Sequence, residues 1–462
     1  MSPKRNTRKA ILHITPHLGG GVGSVLLNYL AKVRRDSGFE HRVLSLEYAN
    51  EKANKASKTT GFVLADRMSE NLPGLFAAVS RADVVLIHWW NHPLLYALLV
   101  RESLPPARII FWSHVSGFSA PYVFNRPALH YPDLFVFTSP LSLNAPVVRN
   151  LPEDRQSALR VIWSTGGVEH TASVRSKSHF GYSIGYIGTV DYGKLHPHFL
   201  RMSGNVKIPD VRFLVCGGPS EKQIREESRQ CGIDGRFVFT GCVDNVRDCL
   251  SEFDVFGYPL APHHYGTCEQ SLGESMAAGI PPVVMRNPTE SLIVENGVTG
   301  IVAPDENAYT EALETLYHHP DLRRRLAENA RKAAKERYST DLMVNRWEQV
   351  FDEALLFPKT PRQWSGRHQG KGVSAAQVFI EALGQYGGPF EESFRAQNEP
   401  EQEAALDGIR SLYASSQLWR ASTRGTASHY HLFFPGDHHL KLWRDLAADD
   451  CRFINDIGKI RI

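Results

Sequence analysis

The sequence predicts an α/β chain of two Rossmann-like domains facing across a cleft, followed by a mainly helical C-terminal extension. Three observations carry that reading. The chain has 462 residues, too many for one ordinary core. Short apolar runs alternate with helical patterns in the first half, and the same alternation starts again in the second. Past residue 356 the alternation stops and helical patterns alone remain. An apolar fraction of 42% and a charged fraction of 22% are those of a folded globular protein. A net charge of +3 gives no argument for nucleic acid as a partner.

In the first half, Lys9–Thr15 reads as a buried strand. The run Gly19-Gly20-Gly21-Val22-Gly23-Ser24 follows as a loop, and a helical pattern begins at Val25. Strand, glycine loop and helix in that order open a doubly wound sheet, and the glycines let backbone approach a ligand. Further strands are expected at residues 41–47, 83–88, 108–112 and 134–137. His88 and His114 stand at strand ends, where this architecture places its site. A lone histidine is as readily a satisfied structural residue, and both readings stay open.

In the second half, strands are expected at residues 184–188, 211–218, 237–240, 253–259, 281–285 and 300–303, with a helix near Glu221–Gln230. The stretch 263–279 reads as a polar loop feeding a helix. Ser271 is the expected N-cap, and Gly279 followed by Pro281-Pro282 ends the helix. A helix N-terminus is a natural seat for phosphate. Glu274, expected in the first turn, is suited to accept hydrogen bonds from paired ribose hydroxyls or simply to complement the helix dipole.

These residues resemble the family 4 retaining glycosyltransferases, which have the GT-B fold. Gly19 to Ser24 is similar to that family's N-terminal glycine loop. Residues 237–241, the strand of Asp254, the run Glu274-Ser275-Met276-Ala277-Ala278-Gly279-Ile280-Pro281-Pro282-Val283-Val284 and Asn296-Gly297-Val298-Thr299-Gly300 match its second domain in order and spacing. The resemblance covers roughly residues 11–355. It implies that Glu274 holds the ribose of a nucleotide donor, that Lys194 grips the donor diphosphate, and that His114 lies near the reacting centre. It also implies that Gly20, Gly21 and Val22 lie near the transferred sugar and diphosphate.

The chain departs from the family at two positions. Thr189 stands where an arginine is usual, and Gly266 where a second glutamate is usual. Glu269 is therefore expected to take over contact with donor-sugar hydroxyls, or the amides of Thr267, Cys268, Glu269 and Gln270 do so, with Ser271 beside them at the helix start. Glu269 as an ordinary solvated loop residue is the plain alternative. The resemblance implies transfer of a sugar from a nucleotide-diphosphate sugar to an acceptor hydroxyl of a glycan, lipid-linked or small molecule, with retention. It implies no metal and no cofactor beyond that co-substrate, and no Asp-x-Asp occurs in the sequence.

Two rival readings exist. A dinucleotide dehydrogenase would use Gly19 to Gly21 and Glu47, but Ser24 occupies the place of the third glycine. A degenerate GT-B protein binding sugar nucleotide or a partner without turnover is motivated by Thr189 and Gly266.

The expected domains are residues 1–170 and 171–340, a helix at 341–356 crossing back to the first, a basic irregular linker at 357–372 and an extension at 373–462. Helices are expected there at 373–383, 400–413 and 437–446. His429, His431, His438 and His439 lack metal-site spacing and read as surface or packing residues. Tyr430, Phe433, Phe434 and Trp443 either dock on the core or contact an acceptor or partner. Six cysteines without a Cys-x-x-Cys pair suggest free thiols and a cytoplasmic location, and peripheral contact at the inner face of a membrane stays open. No apolar stretch is long enough for a membrane span.

Overall fold

The computed structural model describes residues 8–33, 37–164, 167–243, 245–421 and 424–457, with side chains as far as residue 447. It divides into two compact units, residues 1–162 with 344–462 and residues 163–343.

The first unit holds a seven-stranded parallel sheet. Its strands are β1 (Lys9–Thr15), β2 (Phe39–Ser45), β3 (Val63–Ala65), β4 (Val84–Trp89), β6 (Ile109–Ser113), β7 (Leu134–Phe137) and β8 (Leu159–Val161), in spatial order β8-β7-β6-β4-β1-β2-β3. The intervening β5 (Leu104–Ala107) lies outside this sheet. Strands β4 and β6 are buried along their whole length, as continuous apolar runs in a two-sided parallel sheet must be. The three-residue strands β3 and β8 lie at the sheet edges and are too short to show a period in the sequence.

Helix α1 (Gly20–Lys32) starts before the expected Val25, so Gly20, Gly21 and Val22 form its first turn and not a loop. Glycine is a poor helix former. Gly23 eases the approach of α1 to Leu18, since a Cβ there would make a tight 3.1 Å contact with the Leu18 carbonyl carbon.

The second unit repeats the plan with β9 (Tyr182–Ile187), β10 (Val211–Cys216), β11 (Phe237–Gly241), β12 (Val255–Tyr258), β13 (Pro282–Met285) and β14 (Ile301–Ala303). Their order is β11-β10-β9-β12-β13-β14, all parallel. The order reverses between β9 and β12. In such a sheet the crevice beyond the carboxyl ends of those two strands is the ligand position.

Helix α2 (Gln270–Ala278) follows β12 and is closed by Gly279 at φ +75, a conformation glycine adopts without strain. The unit boundary falls within helix α3 (Thr340–Leu355).

The C-terminal extension is part of the first unit. The segment read as a basic irregular linker carries β15 (Thr360–Arg362), paired antiparallel with β5. Helix α4 (Ala375–Leu383) is buried along its length. Its Glu381 carbonyl accepts from Asn125 Nδ2 at 2.8 Å, and Arg101 Nε donates to the Val373 carbonyl at 2.9 Å. Tyr430 and Trp443 are core residues against Phe379, with ring centroids 5.0 and 5.8 Å away. His429, on helix α5 (Ala427–Phe433), is buried against His92 and Phe433. Among the described residues, none of the four extension histidines belongs to a cluster able to hold a metal. No helix among them is long and apolar enough to cross a membrane.

Because the extension closes this core, truncation after Phe357 is expected to unfold the first unit. Loss of near-ultraviolet circular dichroism from its packed aromatics would show it, and a native signal would mean the extension is dispensable.

Candidate active site

The candidate residues of the second unit gather at its switch point. Lys194 lies beyond β9, fixed by its own carbonyl accepting from Ala261 N at 2.8 Å and by His196 N donating to the Pro259 carbonyl at 2.9 Å. Those bonds tie the segment after β9 to the segment after β12. Lys194 Nζ is 2.8 Å from Glu269 Oε2, and the rings of Tyr258 and Tyr265 flank the ammonium at 5.8 and 5.7 Å.

Glu269 is the N-cap of α2, at φ 39 and ψ 72, and its backbone turn points the carboxylate inward. Its side chain is 1% exposed. The Tyr258 hydroxyl donates to Oε2 at 2.5 Å, and His264 Nδ1 lies 3.8 Å from Oε1. Burial pushes the Glu269 carboxyl upward, but Lys194, His264 and the Tyr258 hydroxyl together outweigh it and hold the group below its ordinary value. Glu269 is thus neither the solvated loop residue nor an outward-facing one. A non-glycine residue at positive φ carries backbone strain, here held by these contacts.

Gly266 is the counterpart of this arrangement. A Cβ placed on it would lie 1.5 Å from Glu269 Oε1, so any side chain at 266 is incompatible with the Glu269 seat. Its N–H donates to His264 Nδ1 at 3.0 Å, and its carbonyl accepts from Thr289 Oγ1 at 3.1 Å. His264 Nε2 faces Glu290 Oε1 at 3.1 Å. Burial lowers the His264 pKa, Glu290 and Glu269 outweigh it, and the net shift is upward. Protonating Nδ1 would cost the bond from Gly266.

His264, Glu269 and Glu290 lie close enough together to be a possible metal cluster. His264 Nδ1 accepts from the Gly266 N–H, and Glu269 Oε2 is paired with Lys194.

Ser271 is not the N-cap. It lies in the first turn of α2, and its hydroxyl donates to the Tyr258 hydroxyl at 3.3 Å. With the helix starting at Gln270, Glu274 falls beyond the first turn. It is buried, accepts from Gln270 Nε2 at 2.9 Å, and has His170 Nε2 at 3.7 Å. Thr267 is buried in the loop. Thr189, at the position of the expected arginine, hydrogen bonds with the Tyr265 hydroxyl at 3.2 Å. Tyr258, His264 and Glu290 escaped sequence reasoning. Only Tyr258 left a signal, as the last strand residue before the loop.

In the first unit, Gly20 and Gly21 are exposed at the start of α1, with open space where a Cβ would be. His114 follows β6, and burial pulls its pKa down to about 3. Its Nε2 lies 3.0 Å from Nδ1 of the fully buried His88, which is therefore a satisfied interior residue. A cavity of about 450 Å³ in this unit is lined by Asp133, Arg155 and Arg362 among others. It opens at the amino ends of β7 and β8, the edge this architecture does not use for ligands.

A sequence-family profile described as Glycosyl transferases group 1 matches residues 177–333, the span that contains Lys194, Glu269 and Glu274. The chain is 27% identical over 177 residues to O-antigen chain mannosyltransferase C of Escherichia coli, covering 37% of this chain and 46% of that one. It is 25% identical over 149 residues to N-acetyl-alpha-D-glucosaminyl L-malate synthase of Bacillus anthracis, covering 32% and 38%. The chain thus spans less than half the length of these curated relatives.

Among solved structures, Anabaena HepE in complex with UDP and glucose aligns with TM-score 0.60 at 14% identity, over 75% of this chain and all of that one. A glycosyltransferase from Rickettsia africae aligns with TM-score 0.60 at 12% identity, over 76% and 99%. The fold is that of GT-B glycosyltransferases.

Two outcomes are expected. Gly266→Ala should eject Glu269 and leave Lys194 without its buried partner, at a cost of about 3–5 kcal/mol. A urea midpoint equal to the parent's would show that the loop absorbs the methyl group. The second concerns pH. Burial depresses the pKa of His13 and His88 well below 6.5, so the unfolded chain binds more protons as pH falls under that value, and stability falls with it. From pH 7 to pH 5 the first unit should therefore lose stability. Denaturation curves at the two pH values measure it.

Proposed function

We propose that the chain is a glycosyltransferase that moves a sugar from a nucleotide-diphosphate sugar to an acceptor hydroxyl, with retention and without a resident metal. The observation that supports it best is the Lys194–Glu269 pair at the start of α2, beyond the two strands where the sheet order reverses. The Lys194 ammonium, held in place by Glu269, is a point charge suited to diphosphate oxygens. The N-terminal amides of α2 add donors for the same leaving group. Glu274 takes the ribose hydroxyls, and Gln270 and His170 orient its carboxylate.

Glu269 acts through Lys194, holding it in place, because its own oxygens face inward. In the reaction the bond from the anomeric carbon to the diphosphate breaks and the bond to the acceptor oxygen forms on the same face. The acceptor's proton leaves as the new bond is made. The UDP in the HepE structure makes uridine diphosphate sugars the first donors to test. The name of the mannosyltransferase relative favours a glycan or lipid-linked acceptor, and a lipid-linked one would bring the chain to a membrane surface.

Nucleotide release across a donor panel, with mass spectrometry of the product, tests the reading. Lys194→Ala is expected to lower kcat/KM about 100-fold or more, as loss of a preorganised charge does. Glu274→Ala should chiefly raise the donor KM. Unchanged turnover in both variants, or no donor consumed by the parent chain, overturns the assignment.

A further inference from the structure

Four histidines form a continuous hydrogen-bonded row through the first sheet. His41 Nδ1 lies 2.8 Å from His13 Nε2, His13 Nδ1 lies 3.1 Å from His88 Nε2, and His88 Nδ1 lies 3.0 Å from His114 Nε2. The residues come from β2, β1 and β4 and from the end of β6, four adjacent strands.

The register explains the alignment. His41 pairs with Ile11, two residues before His13. His13 pairs with Leu86, two residues before His88, and His88 pairs with Trp112, two residues before His114. A step of two keeps a side chain on the same face of a sheet. The row therefore climbs one face diagonally, from the half-buried His41 through the fully buried His13 and His88 to the half-buried His114 at the carboxyl edge.

The two inner imidazoles, His13 and His88, use both nitrogens, one toward each neighbour, and so have no spare donor or acceptor. If every ring is neutral, the hydrogen bonds are all satisfied only when the four share one tautomer. Burial drives each ring toward neutrality: the pKa of His41 falls to about 4 and that of His114 to about 3, with His13 and His88 also well down. Tyr29, Trp112 and Phe351 pack against the row, and the carboxylate acting on Tyr29 is Glu348, which accepts from Ser37 Oγ at 2.7 Å.

We infer that this row is a proton relay, taking the acceptor hydroxyl's proton at Nδ1 of His114 and releasing one at Nε2 of His41. The inference rests on the glycosyl transfer proposed above. The balance is one proton in and one out. Starting with every ring protonated on Nε2, the hydroxyl proton bonds to His114 Nδ1, and Nε2–H of His114 passes to His88 Nδ1. Nε2–H of His88 then passes to His13 Nδ1, and Nε2–H of His13 to His41 Nδ1. Nε2–H of His41 leaves to water. Every ring stays neutral and ends protonated on Nδ1. With product gone and water at His114, the reverse shift resets the row. A single buried histidine this hard to protonate would be a poor base, and the row removes the need to store a charge inside the sheet.

Two variants and one spectroscopic measurement test the relay in the full chain. His41→Ala is expected to lower kcat about tenfold with little change in donor KM, and added imidazole should restore it. His13→Gln keeps a hydrogen-bonding side chain but cannot exchange tautomers, so kcat should fall while the melting temperature stays close to the parent's. Nitrogen-15 spectra of the parent should show all four rings in one tautomer. A His41→Ala variant with parental kcat, or a loss that imidazole does not restore, overturns the relay. Mixed tautomers along the row overturn it as well. A parent that consumes no donor would instead sink the glycosyl-transfer reading, and the tautomer spectra would still decide whether the row is continuous.

Discussion

The arrangement at the second sheet's switch point depends on one buried ion pair, Lys194 with Glu269. Taking both charges out of water is costly, and the Tyr258 hydroxyl and His264 beside Glu269 help offset it. That requirement reaches outward through the sequence. Position 266 must lack a side chain, since a Cβ would occupy the carboxylate's place. Position 269 must adopt a left-handed backbone to turn the side chain inward. Position 258 must end its strand with a hydroxyl. His264 must be pinned between Glu290 and the Gly266 amide so that the loop keeps its path. Removing any one of these leaves a charge or a donor stranded in a low-dielectric pocket.

This also explains why the departures from the family pattern occur together. A glutamate at 266 and a carboxylate seated where Glu269 sits are mutually exclusive in this loop geometry. The glycine at 266 and the inward carboxylate of Glu269 are two parts of one loop geometry. With Thr189 in place of an arginine, Lys194 is the cation anchored on this segment, and anchoring it fixes where a phosphate would meet positive charge.

The alternation of strands and helices was legible because a two-sided parallel sheet forces continuous apolar runs, and β4, β6 and β12 show them plainly. Their ends fell within two residues of expectation. Helix α1 and the N-cap of α2 were misjudged for a shared reason: glycines and a cap at positive φ break the usual start signals. Glu269 was singled out by its spacing, but spacing does not show which way a residue in a left-handed turn points. His13 and His41 were invisible as partners, because alternation within a strand says nothing about register between strands. Whether the extension stands apart or docks stayed open in the sequence, because its linker is rich in proline and glycine; β15 and α4 dock it on the first core.

The two sheets handle interior polar groups by opposite means, and the difference bears on what each can do. The second unit buries opposite charges in contact, Lys194 with Glu269. The first unit buries four imidazoles that burial keeps neutral, joined end to end. A charge pair holds its field constant and is unsuited to passing a proton, because neutralising either member strands the other. A neutral row is unsuited to gripping an anion, yet it can shift protons with no net charge created along its length. Transfer of a sugar from a diphosphate to a hydroxyl needs both properties, a lasting positive charge at the leaving group and a transient path for one proton. In the proposed transfer, each sheet would supply the one its own packing allows.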